Sequence, residues 1–238
     1  MSKSKRRQQD AKSTAPDIRK VISYAPRNLK QREYLRSISE NDITFGIGAA
    51  GTGKTYLSAM SAIDGYESGK YEKIIVARPA VPAGGEKIGF LPGNLDEKLD
   101  PYMQPIWDAF SDYWSPRTLH LMKMEKQIEV VPYGFMRGRT FRNAFIIADE
   151  AQNSTLEQMY MLLTRFGEGS KMVITGDPEQ TDVRGNTLNE TCRRLSRVSN
   201  VGWIMFGSGD VVRHRTVSNI IYNWNRPTED EETLSEAA

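Results

Sequence analysis

The stretch Ile43-Thr-Phe-Gly-Ile-Gly-Ala-Ala-Gly-Thr-Gly-Lys-Thr55 decides the fold. It opens with a short apolar run, Ile43 to Ile47, which predicts a buried β-strand. A glycine-rich loop with the spacing Gly48-x-x-x-x-Gly53-Lys54-Thr55 follows, and Tyr56-Leu-Ser-Ala-Met-Ser-Ala-Ile then opens a helix. A strand, this loop and a helix in direct succession are the context that a phosphate-binding loop requires.

The chemistry of such a loop assigns its residues. Glycines let backbone N–H groups turn inward around phosphates, and the helix N-terminus presents its positive end to them. Lys54 is expected to reach the β- and γ-phosphates, and Thr55 to offer its hydroxyl to Mg²⁺. A chance glycine-rich turn is the alternative, and the flanking strand and helix disfavour it. The nucleotide-binding residues are therefore predicted to be Gly48, Ala49, Ala50, Gly51, Thr52, Gly53, Lys54 and Thr55.

Short apolar runs separated by helix-length segments recur along the chain. This pattern predicts an α/β sandwich whose mostly parallel central sheet is covered on both faces. The predicted strands are Ile43 to Ile47, Lys73 to Ala77, Ile128 to Val131, Ala144 to Ala148, Lys171 to Thr175 and Val201 to Phe206.

The length of 238 residues suits one large domain. The formal net charge of +2 does not by itself indicate a nucleic-acid binder. Composition predicts a flexible basic arm over 1–16, a single folded domain over 17–226 and an acidic disordered tail over 227–238. The irregular segment Pro79 to Asp100 is too long for an ordinary connection. A lone cysteine, Cys192, and the lack of an apolar leader or membrane span predict a cytoplasmic protein.

Two carboxylates, Asp149 and Glu150, end the apolar run Ala144 to Ala148. Beside a phosphate loop, the first is expected to hold Mg²⁺ and the second to polarise the attacking water. An ordinary strand end with solvated acids is the alternative. Gln180 follows the next run, in Thr175-Gly-Asp-Pro-Glu-Gln180, and could sense the γ-phosphate or the water, although a simple turn on Gly-Asp-Pro fits the same residues.

Two further features point to ligands and leave alternatives open. Gln31, near the start of a predicted helix, could both donate to and accept from the edge of adenine, or could be a solvated helix position. The segment Tyr133-Gly-Phe-Met-Arg137-Gly-Arg139-Thr-Phe-Arg142 mixes arginines with aromatics, which suits phosphate contact and base stacking. It suits equally an interface in which the arginines pair with acids of a neighbouring subunit.

With these residues in view, the chain resembles the PhoH-like proteins, a phosphate-starvation-inducible group of ATPases related to the core of superfamily-one helicases. The resemblance spans about Asn28 to Asn219. Its second segment is the most specific, because generic ATPases do not carry it. The segments are GAAGTGKTYLSA, RPAVPAGGEKIGFLPGNLDEKLDPYMQPIWDAF, MRGRT, IIADEAQNSTLEQMYMLLTRFG, TGDPEQTDV and DVVRH.

The resemblance implies a RecA-like core, ATP as substrate and assembly into rings, with a hexamer among the expected forms. By comparison with related helicases, Arg213 looks like the arginine that stabilises transition-state charge, although a helix-surface arginine is the alternative. Arg78 matches a position that contacts single-stranded nucleic acid. Lys54, Glu150, Gln180 and Arg213 are thus the expected catalytic set, and Arg78, Arg137 and Arg139 the expected nucleic-acid contacts.

The leading hypothesis is an oligomeric, Mg²⁺-dependent ATPase coupled to the binding, remodelling or unwinding of single-stranded nucleic acid, with RNA as the first candidate and DNA as the alternative. Two other classes use the same loop. A phosphotransferase would pass the phosphate to an acceptor and would need no water-activating Glu150. A nucleotide-gated assembly protein would hydrolyse ATP at a rate that ignores added RNA or DNA.

Overall fold

The computed structural model describes residues 24–79, 100–181, 187–212, 216–217 and 219–220. The predicted arm over 1–16, the tail over 227–238 and most of the segment from Pro79 to Asp100 lie outside the described residues. The helices are α1 (Leu29–Glu40), α2 (Lys54–Glu67), α3 (Gln104–Ser111), α4 (Pro116–Met124), α5 (Leu156–Leu163) and α6 (Thr187–Leu195). The strands are β1 (Ile43–Gly48), β2 (Lys73–Arg78), β3 (Ile128–Pro132), β4 (Ala144–Ala148), β5 (Lys171–Gly176) and β6 (Val201–Phe206).

The strands form one six-stranded sheet in the order β3-β2-β4-β5-β1-β6, and every pairing in it is parallel. All six predicted strands are confirmed, and the structure extends some of them by one residue at the carboxyl end. Strand β5 lies between β1, which leads into the phosphate loop, and β4, which leads into Asp149 and Glu150. The sheet is parallel throughout and is covered by helices on both faces, so the predicted fold class is confirmed.

Two apolar layers sandwich the sheet, because successive side chains of a strand point to opposite faces. On β2, Ile74 and Val76 belong to the layer formed with α1, α2, α3 and α4. Ile75 and Ala77 belong to the layer formed with α5 and α6. Each fully buried isoleucine or valine side chain contributes about 1.5–3 kcal/mol to folding, which explains why the strands are apolar almost throughout.

Local capping signals set the helix starts on both layers. The side chain of Asn28 accepts a hydrogen bond from Gln31 N at 2.8 Å and so begins α1. Thr155 and Gln158 form a reciprocal capping box at the start of α5. Among the described helices, none combines the length and apolar composition needed to cross a bilayer.

A parallel sheet brings the carboxyl ends of all its strands to one edge. The carboxyl ends of β1, β2, β4, β5 and β6 therefore lie side by side there, which is where ligands bind in open α/β sheets.

Candidate nucleotide-binding site

The loop between β1 and α2 has the backbone of a phosphate cradle. Gly48, Gly51 and Gly53 have φ of 128°, 79° and 85°, in the region that favours glycine. A Cβ on Gly48 would lie 2.0 Å from the backbone oxygen of Phe206, at the end of β6. Val212 N donates to Gly51 O at 2.9 Å, so the segment after β6 also supports the loop.

Lys54 lies inside this loop at the N-terminus of α2. Its ammonium donates to Gly48 O at 2.6 Å and to Ala49 O at 2.8 Å, and the residue is 8% exposed. Thr52 Oγ1 donates to the same Ala49 O at 3.0 Å. The loop therefore surrounds a positive charge next to the positive end of a 14-residue helix, a setting that favours an anion.

Asp149 lies beneath the loop and is 3% exposed. Its Oδ1 accepts from Thr55 Oγ1 at 2.9 Å, which joins the two residues that sequence reasoning predicted as Mg²⁺ ligands. A carboxylate and a hydroxyl in contact provide the oxygen donors that Mg²⁺ prefers, so the residues present fit that ion. Thr175 Oγ1 donates to the same oxygen at 2.5 Å. Thr175 is not among the site residues predicted from the sequence, although a polar residue near the carboxyl end of a buried strand was the available signal.

Glu150 has an unusual backbone, with φ of 55° in the left-handed region. A non-glycine residue there carries a conformational cost that the surrounding structure must offset, as is common at functional sites. Its Oε1 lies 3.8 Å from a terminal guanidinium nitrogen of Arg78, and its Oε2 accepts from Gln152 Nε2 at 2.5 Å. Arg78 also donates to Tyr102 O. The predicted nucleic-acid role of Arg78 stays a prediction, and the structure gives this residue contacts at the candidate active site.

The turn after β5 packs against the loop. Asp177 is 7% exposed, and its Oδ2 accepts from Ala50 N at 3.0 Å. Gln180 ends the short helical turn Pro178–Gln180 that follows Asp177, and Gln180 is exposed to solvent. Gln152 Nε2 lies 3.4 Å from Gln180 O. The predicted sensor residue is therefore brought to the same edge as the loop and Glu150.

Gln31 contacts the loop from α1 and is 4% exposed. Its Nε2 donates to Thr52 O at 2.9 Å, and its Oε1 accepts from Arg27 N at 2.8 Å. The reading as a solvated helix position is wrong, because the side chain is buried against the loop. Recognition of adenine by Gln31 stays a prediction.

The remaining predicted arginines are less closely connected to the site. Arg213 lies outside the described residues, one position after Val212. Arg139 pairs with Glu129 at 2.7 Å within the chain, and its guanidinium carbon lies 4.8 Å from the ring centre of Phe141. Arg137 is exposed and lines a groove of about 460 Å³ beside α5.

Two buried tyrosines flank the site. Burial raises the pKa of Tyr34 and of Tyr133 well above the ordinary value, and the negative charge of Asp149 acts in the same direction on both. Both phenols are therefore neutral at physiological pH and cannot act there as phenolate bases.

Comparison with known proteins assigns the family. A family model described as PhoH-like protein matches residues 23–225 of the 238-residue chain. The chain belongs to the PhoH-like protein family. The resemblance drawn from the motifs is thereby confirmed.

Three PhoH-like relatives illustrate the match. The PhoH-like protein of Mycobacterium tuberculosis (strain ATCC 25618 / H37Rv) is 45% identical over 216 residues, which cover 90% of this chain and 61% of that protein. The PhoH-like protein of Bacillus subtilis is 44% identical over 203 residues, covering 84% and 63%. Protein PhoH of Escherichia coli (strain K12) is 37% identical over 209 residues, covering 86% and 59%. The chain thus spans about three fifths of the length of these curated relatives.

Among solved structures, the Sulfolobus solfataricus SWI2/SNF2 ATPase core in complex with dsDNA is similar, with a TM-score of 0.42 and 16% identity. The similarity covers 66% of this PhoH-like chain and 33% of that chain.

Proposed function

We propose that this PhoH-like chain is a Mg²⁺-dependent ATPase. The observation that carries the proposal is the convergence at one sheet edge of the phosphate loop, the Thr55 and Asp149 pair, Glu150 and the turn ending at Gln180. Each group is one that hydrolysis of a phosphoanhydride needs: a cradle for phosphate, oxygen ligands for a metal, a base for water and a group that senses the terminal phosphate.

The roles of the residues follow from their chemistry. Lys54 and the loop amides bind the phosphate oxygens, and Gln31 recognises the edge of adenine. Thr55 and Asp149 would hold Mg²⁺, which when bound would neutralise charge on the phosphates. Glu150 orients a water and takes its proton while the water oxygen bonds to the terminal phosphorus and the bond to the diphosphate oxygen breaks. Gln180 donates to the terminal phosphate or the water.

Two substitutions test this assignment through release of inorganic phosphate. Lys54→Ala should weaken nucleotide binding or turnover. Glu150→Gln should keep nucleotide binding and lose roughly 10²–10⁴-fold in kcat, the usual contribution of a general base. A matched control is Glu125→Gln. Glu125 also accepts a hydrogen bond from a glutamine two residues later, Gln127, at 3.0 Å, but it lies in an exposed turn. Wild-type kcat in Glu150→Gln would refute the role of Glu150.

Product analysis separates hydrolysis from the two alternative classes. Free phosphate in the absence of any phosphorylated acceptor supports an ATPase over a phosphotransferase. An ATPase rate that does not change when any polynucleotide is added supports a nucleotide-gated assembly protein over a motor.

We also propose that hydrolysis is coupled to single-stranded nucleic acid, RNA in the first instance. Supporting this are two exposed aromatics, Phe135 in the turn after β3 at 62% exposure and Tyr160 on α5 at 72% exposure. Tyr160, Arg137 and Arg165 line the groove beside α5. Aromatic faces stack on bases and contribute about 1–3 kcal/mol per base, while arginines contact phosphates.

Coupling is tested by measuring phosphate release with single-stranded RNA, single-stranded DNA and duplexes at two salt concentrations. Tyr160→Ala and Arg137→Ala should weaken stimulation by the single strand without changing the unstimulated rate. Arg36→Ala is the control, because Arg36 is an exposed arginine on α1 that pairs with Glu40. Equal stimulation of all three variants would remove this groove from the proposal.

We propose a homo-oligomer, with a hexameric ring among the expected forms, because a motor moves one core against another and a neighbouring subunit would supply the second core. A strictly monomeric mass with nucleotide and Mg²⁺ would defeat it. Arg213 acts either within its own subunit or across the interface. Mixing Arg213→Ala with Glu150→Gln distinguishes these cases, since activity returns in the mixture only if Arg213 acts on the neighbour.

A further inference from the structure

Gln152 occupies a central position in the candidate site, although the ATPase chemistry above gives it no role. It lies in the short turn Ala151–Asn153 that follows Glu150, and it is 3% exposed. Its Nε2 donates to Glu150 Oε2 at 2.5 Å, and its Oε1 accepts from Asp177 N at 3.1 Å. One amide group therefore joins the carboxylate after β4 to the backbone after β5.

The connection continues to the phosphate loop. Asp177, which donates its N–H to Gln152, accepts Ala50 N–H of the loop on Oδ2 at 3.0 Å. Its other oxygen accepts from Glu179 N at 3.1 Å, within the turn that ends at Gln180. An unbroken series of hydrogen bonds thus runs from the phosphate loop through Asp177 and Gln152 to Glu150.

The surroundings leave Gln152 little freedom. Thr181 Oγ1 donates to Gln152 O at 3.0 Å, which fixes its backbone to the far side of the sensor turn. A Cβ on Gly176 would lie 2.8 Å from Gln152 Oε1 and 3.1 Å from Gln152 N. The close approach of β5 therefore requires a glycine where the strand passes this amide.

Glu150 needs such support for the role proposed above. Its side chain is 40% exposed, so a carboxylate without fixed partners would sample several rotamers in water. Arg78 approaches one of its oxygens and Gln152 binds the other. Only a side chain with both a donor and an acceptor can hold Glu150 and Asp177 together, and an amide has both.

We propose that Gln152 is a positioning residue that fixes the Glu150 carboxylate relative to both the phosphate loop and the sensor turn. The proposal rests on the proposed ATPase function. It differs from a purely structural role, in which Gln152 would satisfy buried polar groups and affect stability alone. Positioning of a base changes kcat and leaves nucleotide binding intact, since the groups that bind the phosphates are elsewhere.

The test is Gln152→Met, which keeps the length of the side chain and removes both hydrogen-bonding groups. We expect kcat for phosphate release to fall roughly 10²-fold, the cost of misplacing a reacting group by about 1 Å. KM, and the Kd for ADP with Mg²⁺ measured by calorimetry, should change less than about threefold. The matched control is Gln127→Met, because Gln127 also donates to a glutamate two residues earlier but lies outside the site, and this variant should keep wild-type kcat.

A second variant perturbs the same amide without replacing it. In Gly176→Ala the new methyl meets Gln152 Oε1 and also Leu188 Cδ1, each at 2.8 Å. If the methyl acts through Gln152, the double variant Gly176→Ala/Gln152→Met should lose no more kcat than the worse single variant. A merely structural role gives losses that multiply and that follow the free energy of unfolding in urea.

The outcomes are distinguishable. If Gln152→Met releases phosphate as fast as the wild type, or if only its KM changes, the positioning role is overturned and the ATPase proposal stands. No phosphate release by the wild type overturns the ATPase proposal itself. If Gln152→Met does not fold, Gly176→Ala decides: a lower kcat at unchanged KM supports the proposal, and any other result overturns it.

Discussion

Replacing Thr175 by valine should weaken the binding of Mg²⁺ at the proposed ATPase site. Thr175 is 1% exposed on β5, and its hydroxyl donates to Asp149 Oδ1 at 2.5 Å. Valine keeps the β-branched shape that suits a strand and removes only this donor. Asp149 then keeps the Thr55 hydroxyl as its partner on that oxygen and loses the group that orients it from β5.

The expected size follows from the bond that is lost. A hydrogen bond to a charged group contributes about 1.5–3 kcal/mol. Burying a methyl group in place of the hydroxyl returns about 0.8 kcal/mol. The free energy of unfolding should therefore fall by about 1–2 kcal/mol. Loss of a residue that orients a metal ligand typically weakens metal affinity by about 10–100-fold, so the Mg²⁺ concentration for half-maximal activity should rise by at least about tenfold.

The assay is phosphate release at saturating ATP across a Mg²⁺ titration, together with urea denaturation. Thr44→Val is the control, because Thr44 is a threonine on the neighbouring strand β1 with 1% exposure. Its hydroxyl lies 3.3 Å from the neutral hydroxyl of Ser37, so its loss should leave the Mg²⁺ titration unchanged. Identical titration midpoints for wild type and Thr175→Val would show that Thr175 does not orient a metal ligand.

Three further substitutions test other contacts. Gly48→Ala adds a Cβ 2.0 Å from Phe206 O at a φ of 128°, so the free energy of unfolding in urea should fall by more than about 2 kcal/mol. Gly134→Ala is the control: its Cβ would meet nothing within 4 Å, and the free energy of unfolding should change by less than about 1 kcal/mol. Lys171→Met removes an ammonium that donates to Ser39 O at 3.1 Å and Asn41 O at 2.5 Å at the end of α1, and leaving these carbonyls unpaired should cost about 1–3 kcal/mol in the same assay. A plot of log affinity for single-stranded RNA against log salt concentration has a negative slope, and Arg137→Ala should reduce the magnitude of that slope by about 0.7. Arg139→Ala should reduce it by less, because Glu129 already pairs with Arg139. Equal slopes for the two variants would contradict this.

Much of the fold was predictable because its signals are local. Each strand is a contiguous apolar run, and the phosphate loop is a contiguous pattern between a strand and a helix. Asp149 and Glu150 were predicted for the same reason, since they directly follow a buried strand. Gln31 was harder to interpret, because spacing along a helix does not say which face is covered, and only the packed structure buries it at 4% exposure against the loop.

The sequence by itself determined the strands, the α/β class and the residues of the phosphate loop and its paired carboxylates, because neighbours in the chain encode these features. The tertiary structure decided which distant groups meet. Thr175 contacts Asp149 across 26 positions, and Ala50 contacts Asp177 across 127. These contacts depend on β5 lying between β4 and β1, an order that no local pattern specifies. For the same reason the position of Gln152 between Glu150 and Asp177 became visible only once the strands were assembled side by side.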